Sequence, residues 1–230
     1  RFEIGGVVIP ALAEHVVDTQ LATTLGREGF SVRTVEHLLA TLHGAGIDNV
    51  DVSVQGDEIP ILDGCGAEWL EHLDRVGFVE QERPVREFVI ERIIEVRDGD
   101  RWARIEPAPG FELDITIDFD HPSVGKQHLA FQFDPNTFSS EIAWARTFGF
   151  ERLVPAMQRL GLVRGGSLEN ALVFGSEGPL NEGGVRSADE PVRHKMLDAL
   201  GDLALLGHPI CGRLIAERPG HGIVFHLLKK

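Results

Sequence analysis

The sequence contains no apolar run near the roughly 20 residues that a membrane-spanning helix needs, and no stretch resembles a signal peptide. It also contains only two cysteines, Cys65 and Cys211, which lie far apart and without CxxC spacing. This scarcity argues against both a disulfide framework and a thiolate zinc site. We therefore expect a cytoplasmic protein, because a reducing compartment fits this use of cysteine best.

Basic residues are also in short supply. Lys and Arg number 22 against 36 Asp and Glu, which gives a formal net charge of −14. Nucleic-acid backbones are bound by clustered Lys and Arg, so this balance argues against a nucleic-acid partner. It leaves room for a small anionic ligand held by a few local cations. The length of 230 residues and the hydrophobic content of 43% fit one large or two small globular domains.

Strand-like and helix-like segments alternate along the first third of the chain. Thr34 is the predicted N-cap of the helix "VEHLLATLH", and Gly44 stands where a left-handed residue would end it. The stretch "NVDVSV" alternates like a half-buried strand, and after a turn a second helix is predicted over "AEWLEHLDRVG". The polar stretch "EQERPVRE", residues 80–87, is the best candidate linker.

Beyond the linker, "FVIERIIEVRDGDRWARIEPA" predicts a hairpin that turns at Asp98 and Gly99. Strict alternation predicts a strand over "FELDITIDF", and "LVPAMQRLG" predicts a short helix.

The longest predicted helix is "PVRHKMLDALGDLALLG". Its expected cap is Asp189 or Glu190, with Pro191 in the first turn and Gly207 as its stop. Like the first helix, it contains a valine, one further residue and then a histidine, followed by apolar residues at near-helical spacing. The match is short, so chance competes with duplication of a unit. A true duplication would bring one histidine from each half to a shared seam.

Three polar residues of the long helix, His194, Asp198 and Asp202, follow one another at four-residue spacing and therefore share one face. Spacing alone favours a solvated polar face. Against that interpretation, a His and an Asp four residues apart can bind the same cation, since both supply good zinc ligand atoms. The pair Glu36 and His37 could add a third ligand and a general base.

Two further histidines bear on this hypothesis. His221 lies between glycines in "PGHG", where we expect a loop in which the imidazole is free to reach a substrate. His43 is six residues from His37, so the H-E-x-x-H zinc protease motif is absent.

Five stretches together resemble one enzyme family: "TVEHLLATLHGAGIDNV", "EIPILDG", "ARTFGF", "GGSLENALV" and "PVRHKMLDALGDLALLGH". They are similar to the zinc-dependent UDP-3-O-acyl-N-acetylglucosamine deacetylases, which commit bacteria to lipid A synthesis. The resemblance covers essentially the whole chain in the right order. The family opens with a "GVGLH"-type hairpin that would precede Arg1, so we expect the chain to be a fragment that lacks it.

The resemblance implies a Zn²⁺ cofactor and a role for each site residue. Glu36 would be the general base for attack by water on zinc, and His221 the electrostatic stabiliser and proton donor. Asp202 would orient His221, and Thr147 would support the oxyanion. Zinc would be bound by His37, His194 and Asp198. Substrate contacts are expected from Lys195 to the nucleotide sugar, Phe119 to uracil, Arg101 to the diphosphate side, and Phe148.

The family fold implies an α+β protein of two similar domains, each a sheet packed on helices, with the helices layered between the sheets and zinc at the seam. We place the domains at residues 1–82 and 83–230, with an insertion near 150–177 that forms a passage for the acyl chain. Ordinary core packing is the competing interpretation of its apolar residues. The expected partner is a UDP-linked acylated sugar, and the expected state a monomer. Another zinc amidohydrolase and a non-catalytic truncated homologue are the alternatives.

Overall fold

The computed structural model describes all residues from Arg1 to Lys230. Six α-helices are formed: α1 Glu36–Gly44, α2 Ala67–Val76, α3 Pro135–Phe138, α4 Val154–Arg159, α5 Glu190–Leu203 and α6 His221–Leu228. Short 3₁₀ turns occupy Ala13–His15, Glu151–Leu153 and Ala204–Leu206, and a π-helical turn occupies Ser139–Ala143. None of the helices has the length and apolar character to cross a membrane.

Fifteen strands complete the element list. The early ones are β1 Phe2–Ile4, β2 Val7–Ile9, β3 Val16–Asp18, β4 Thr24–Arg27, β5 Phe30–Val32 and β6 Val52–Ser53. The middle ones are β7 Phe88–Val89, β8 Ile94–Asp98, β9 Arg101–Glu106, β10 Phe111–Phe119 and β11 Gly125–Gln132. The late ones are β12 Phe148–Phe150, β13 Leu172–Gly175, β14 Gly178–Pro179 and β15 Ile210–Glu217.

The strands form four sheets, two on each side of the polar linker. Before the linker there are two three-stranded sheets, in the orders β2-β1-β6 and β3-β4-β5. After it, a six-stranded sheet has the order β11-β10-β15-β9-β8, with β7 also paired to β15, and a small sheet has the order β12-β13-β14. The predicted α+β fold is confirmed. The domain boundary at 82/83 stays a prediction.

The largest sheet is organised by the alternation seen in "FELDITIDF". Phe111, Leu113, Ile115 and Ile117 of β10 are buried, and the residues between them are half-buried. They belong to one apolar core of 28 buried residues, to which α5 contributes Met196 and five further apolar side chains. Complete burial of such side chains stabilises the fold by about 1.5–3 kcal/mol each.

A smaller core joins the first two sheets to α1. It consists of ten buried residues, among them Leu38, Leu39 and Leu42 of α1 and Leu205 from the turn after α5. Because Ala40 of the same helix belongs to the larger core, α1 bridges the two cores.

The start of α1 lies against α5 at Gly201. A Cβ atom added to Gly201 would lie 2.0 Å from the backbone oxygen of Glu36 and 2.7 Å from its carbonyl carbon. Only a residue without a side chain allows this approach. The contact brings Glu36 and His37 beside the polar face of α5.

Most predicted elements are present. The hairpin pairs Asp98 with Arg101 around a two-residue loop. Helix α5 has Asp189 at its N-cap and Pro191 in its first turn, and Gly207 ends the following 3₁₀ turn with φ of 79°.

Three local predictions were wrong. Val35, not Thr34, is the N-cap of α1, because Thr34 adopts φ of 58° and donates its hydroxyl hydrogen to Glu58 Oε1 at 2.6 Å. The left-handed residue after α1 is Gly46, whereas Gly44 lies within the helix and leaves room for the Phe138 ring. Within "NVDVSV", only Val52–Ser53 forms a strand.

Substitution Gly201→Ala tests the helix contact. Alanine normally favours a helix by about 1 kcal/mol over glycine. Here its methyl group would overlap the Glu36 backbone, so we expect the free energy of unfolding in urea to fall by about 1–3 kcal/mol. Gly165→Ala is the control, since a Cβ atom at Gly165 would meet no atom within 4 Å. Equal effects of the two substitutions would contradict this account.

Candidate active site

Helices α1 and α5 bring together two imidazoles and one carboxylate. His37 lies in the first turn of α1, and His194 and Asp198 lie one turn apart on α5. Asp198 Oδ1 lies 3.4 Å from His37 Nε2 and 3.2 Å from His194 Nε2. One ligand atom from each of the three residues lies within 4.8 Å of the others.

The polar atoms of this cluster fit a bound cation. Asp198 Oδ1 is buried and has no hydrogen-bond partner, although two imidazole nitrogens lie nearby. His194 Nδ1 is 3.0 Å from the carbonyl oxygen of Ala145, so the ring N–H points there and the lone pair of Nε2 faces the cluster. A buried carboxylate oxygen and two imidazole nitrogens that converge on one point are a suitable ligand set for zinc.

Protonation in the cluster agrees with that fit. Burial lowers the pKa of His194, which favours the neutral, ligating imidazole. Burial opposes ionisation of Asp198, but His194 and Lys195 hold the pKa of this carboxyl well below its usual range. Lys195 Nζ is 2.6 Å from Asp198 Oδ2 and so occupies the second oxygen.

A second group of ionisable residues lies beside the first. Glu36 Oε1 is 4.0 Å from His221 Nε2, and His221 Nδ1 is 2.8 Å from Asp202 Oδ2. The imidazole therefore lies between two carboxylates, one from α1 and one from α5. With relative exposures of 3% for Glu36, 3% for Asp202 and 8% for His221, all three are buried. A solvated polar face on α5 is thus excluded, since His194 and Asp198 are buried as well.

The flanking glycines predict a loop at His221, and this prediction is wrong. His221 is the first residue of α6, after Gly220 at the N-cap. Burial alone would lower its pKa, but the Asp202 carboxylate outweighs burial and raises the pKa to about 9. At neutral pH His221 is therefore a buried cation held by a carboxylate.

Burial raises the pKa of Glu36, while the neighbouring His221 and His37 lower it. Its Oε2 accepts a hydrogen bond from the backbone N–H of Thr23 at 3.0 Å. This leaves Oε1 as the oxygen that faces His221.

Two of the other predicted site residues, Thr147 and Phe148, follow closely after Ala145, whose carbonyl oxygen lies 3.0 Å from His194 Nδ1. Two backbone hydrogen bonds hold Thr147. Its N–H donates to the carbonyl oxygen of Gly64 at 2.7 Å, and its carbonyl oxygen accepts from the N–H of Leu172 at 2.8 Å. The ring of Phe148 is 6.3 Å from that of His194 and 5.3 Å from that of Phe119.

Arg101 is the predicted residue that the structure does not join to the cluster. Its side chain is exposed at the start of β9, in the hairpin. The register pairs the neighbouring Trp102 with Glu217 at the end of β15, so Arg101 lies at the sheet edge from which the chain continues to His221.

Comparisons with known proteins show the family of this chain. The sequence model of a family described as UDP-3-O-acyl N-acetylglycosamine deacetylase matches residues 1–230. The chain belongs to this deacetylase family. The UDP-3-O-acyl-N-acetylglucosamine deacetylase of Myxococcus xanthus (strain DK1622) is 49% identical over 224 residues, which are 97% of this chain and 71% of the relative. The enzyme of the same name from Anaeromyxobacter dehalogenans (strain 2CP-C) is 48% identical over 225 residues, covering 98% and 73%.

Sequence analysis missed two residues that contribute to this candidate site. Thr23 contacts both Glu36 and Asp202. Glu190, interpreted as a possible helix cap, is wholly buried and paired with Arg146. Neither contact has a local signal, because Glu36 and Asp202 are 13 and 179 positions from Thr23, and Arg146 is 44 positions from Glu190.

The pair of Glu190 and Arg146 supports the cluster of His37, His194 and Asp198 from outside. The Glu190 carboxylate accepts two hydrogen bonds from the Arg146 guanidinium, at 2.8 and 3.1 Å. It accepts two more from backbone N–H groups, that of Arg146 at 3.2 Å and that of Arg186 at 2.6 Å. Arg146 lies directly between Ala145, which accepts from His194, and Thr147. The pair therefore fixes the segment that orients one imidazole.

Substitution Glu190→Gln would leave the largely buried Arg146 without its counter-charge. Removing one partner of a buried ion pair costs about 3–5 kcal/mol, and we expect that loss in urea unfolding of the deacetylase. The control is Glu71→Gln, because Glu71 forms an exposed pair with Arg75 at 3.5 Å. The Glu71→Gln substitution should change the free energy of unfolding by no more than about 0.5 kcal/mol. A Glu190→Gln protein as stable as the control would show that the pair does not hold this segment.

Proposed function

We propose that this chain is a zinc hydrolase that removes the N-acetyl group of UDP-3-O-acyl-N-acetylglucosamine, the committed step of lipid A biosynthesis. The observation that carries the proposal is the buried, unpaired Asp198 Oδ1 between two imidazole nitrogens, beside an imidazole flanked by two carboxylates. The names of the relatives support the choice of substrate.

His37, His194 and Asp198 would hold the zinc ion. When bound in such a site, zinc supplies Lewis acidity that acidifies water and polarises a carbonyl group. The three residues supply one ligand atom each, which leaves a coordination position open to substrate or water. Lys195, bound to the other oxygen of Asp198, would keep that carboxylate ionised and oriented.

Glu36 is suited to act as general base. Its carboxylate is buried next to the ligand His37, and burial raises its pKa, which makes it a stronger proton acceptor. Oε1 would take the proton of the water that attacks the acetamide carbonyl. Its other oxygen is already bound to Thr23 N.

His221 is suited to stabilise charge and to donate a proton. Because its pKa is raised to about 9, it is protonated when the reaction starts, and its Nε2 faces Glu36. The imidazolium would stabilise the developing oxyanion together with Thr147; one such donor is worth roughly 3 kcal/mol. It would then protonate the glucosamine nitrogen as the C–N bond breaks, which releases acetate and the free amine.

The substrate would extend from this centre over the aromatic rim. Phe148 lies next to His194, and Phe119 lies next to Phe148. Phe119 would stack on uracil, Lys195 would contact the nucleotide sugar, and Arg101 would contact the diphosphate side. The insertion at 150–177 carries exposed apolar side chains, including Leu160 at 71% and Leu168 at 50%. Such exposure suits a passage for an acyl chain better than core packing.

Metal content and turnover together test this function. His194→Ala and Asp198→Ala should each lose most bound zinc and most activity, because a three-ligand site loses much of its affinity with any ligand. Glu36→Gln should keep its zinc while kcat falls by roughly 100-fold or more. The measurements are elemental analysis of the purified proteins and acetate release from the UDP-linked substrate. A zinc-loaded His194→Ala protein would overturn the ligand assignment, and unchanged turnover in Glu36→Gln would remove Glu36 from the mechanism.

The pH dependence tests the pair of His221 and Asp202. If protonated His221 is required, the rate falls as pH rises through the raised pKa near 9. Asp202→Asn removes the charge that raises this pKa, so the basic limb of the pH–rate profile should move to lower pH. The losses in Asp202→Asn and His221→Ala should also be non-additive, since the two residues act as one unit. An unshifted basic limb with fully multiplicative losses would show that His221 has another partner.

A further inference from the structure

Thr23, the residue before β4, is unusually placed for a polar side chain. Its relative exposure is 1%. Its hydroxyl donates to Asp202 Oδ1 at 2.6 Å, and its backbone N–H donates to Glu36 Oε2 at 3.0 Å. Its carbonyl oxygen accepts from Val35 N at 3.3 Å. One buried residue thus uses all its polar groups on the start of α1 and on α5.

These bonds complete a ring around His221. The inner oxygens of the two carboxylates face the imidazole, with Glu36 Oε1 on one side and Asp202 Oδ2 on the other. The outer oxygens of the same carboxylates are both held by Thr23. A carboxylate that rotated away from His221 would have to break its bond to Thr23 in a buried setting, where an unpaired polar atom is costly.

We propose that Thr23 is a positioning residue that fixes Glu36 and Asp202 on opposite sides of His221. The catalytic consequence rests on the function proposed above, whereas the geometric claim does not. The hydroxyl contributes through a charge-assisted bond to an ionised carboxylate, which is stronger than a bond between neutral groups. A β-branched residue of the same shape without the hydroxyl would fill the space and leave Asp202 Oδ1 unpaired.

The test compares Thr23→Val, which removes the hydroxyl and keeps the shape, with Thr23→Ser, which keeps the hydroxyl. In the zinc-loaded full chain, Thr23→Val should lower kcat by roughly 10- to 100-fold, because misplaced reacting groups cost that much, with KM changed less than twofold. Zinc content should be unchanged, and Thr23→Ser should restore most of kcat. Thr24→Val is the matched control, since Thr24 is also buried and its hydroxyl has no hydrogen bond to the site.

A second readout is independent of turnover and of metal. The Nδ1 proton of His221, bonded to Asp202, should give a downfield proton resonance in metal-free protein, identified by its loss in His221→Ala. We expect Thr23→Val to shift or broaden this resonance, and Thr23→Ser and Thr24→Val to preserve it. Should Thr23→Val fail to fold, Thr23→Ala serves in both measurements.

The outcomes separate the two proposals. Thr23→Val with wild-type kcat and an unchanged His221 resonance would overturn the role of Thr23, and so would equal losses in the valine and serine variants. If the wild-type protein released no acetate, the proposed function would fail. The resonance would then decide alone whether Thr23 fixes the arrangement around His221.

Discussion

The site exists because α1 and α5 come into backbone contact at Gly201. That contact places the first turn of α1 beside the one face of α5 that carries His194, Asp198 and Asp202. Neither helix alone carries all the ionisable side chains of the candidate site. Brought together, they place Glu36 and His37 among the α5 residues in a setting from which water is largely absent, and electrostatic interactions there are stronger than at the surface.

Burying so many ionisable groups is unfavourable unless each has a partner. The structure meets this requirement by pairing Lys195 with Asp198, His221 with Asp202 and Arg146 with Glu190. The same pairing sets the protonation states. His194 stays neutral because burial lowers its pKa, and His221 becomes a cation because Asp202 more than offsets the same effect. Two imidazoles in one site thus acquire different chemical characters from their neighbours.

Features that depend on neighbours close in the sequence could be predicted, and features that depend on distant parts of the chain could not. Four-residue spacing correctly placed His194, Asp198 and Asp202 on one face, since that geometry is internal to one helix. Strict alternation found β10 for the same reason. Whether that face is buried or exposed to solvent could not be deduced from the helix alone, and the spacing by itself favoured an exposed face. Family resemblance supplied the partners that periodicity could not.

The errors share a physical cause. Glycines on both sides of His221 suggested a loop, but a glycine N-cap followed by a helix satisfies the same pattern. Thr34 was expected to cap α1, yet it adopts a left-handed conformation in which its side chain binds Glu58, while the preceding Arg33 forms an isolated strand bridge with Glu58. In both cases a tertiary partner decided between local conformations that the sequence leaves close in energy.

Hydrogen bonding distinguishes the buried residues that position the site from the residues that could bind a ligand. Glu190 accepts four hydrogen bonds, and Thr23 uses its hydroxyl, its N–H and its carbonyl on neighbouring groups, so both residues support the site through the contacts they already make. By contrast, only four buried side-chain polar atoms in the chain lack a partner, and two of them, His37 Nδ1 and Asp198 Oδ1, belong to the cluster between α1 and α5. An unpaired buried oxygen is costly, so its presence in a folded protein calls for an explanation. This protein satisfies nearly every buried polar atom, and the unpaired oxygen of Asp198 lies between two imidazole nitrogens at the position where we propose that a metal ion binds.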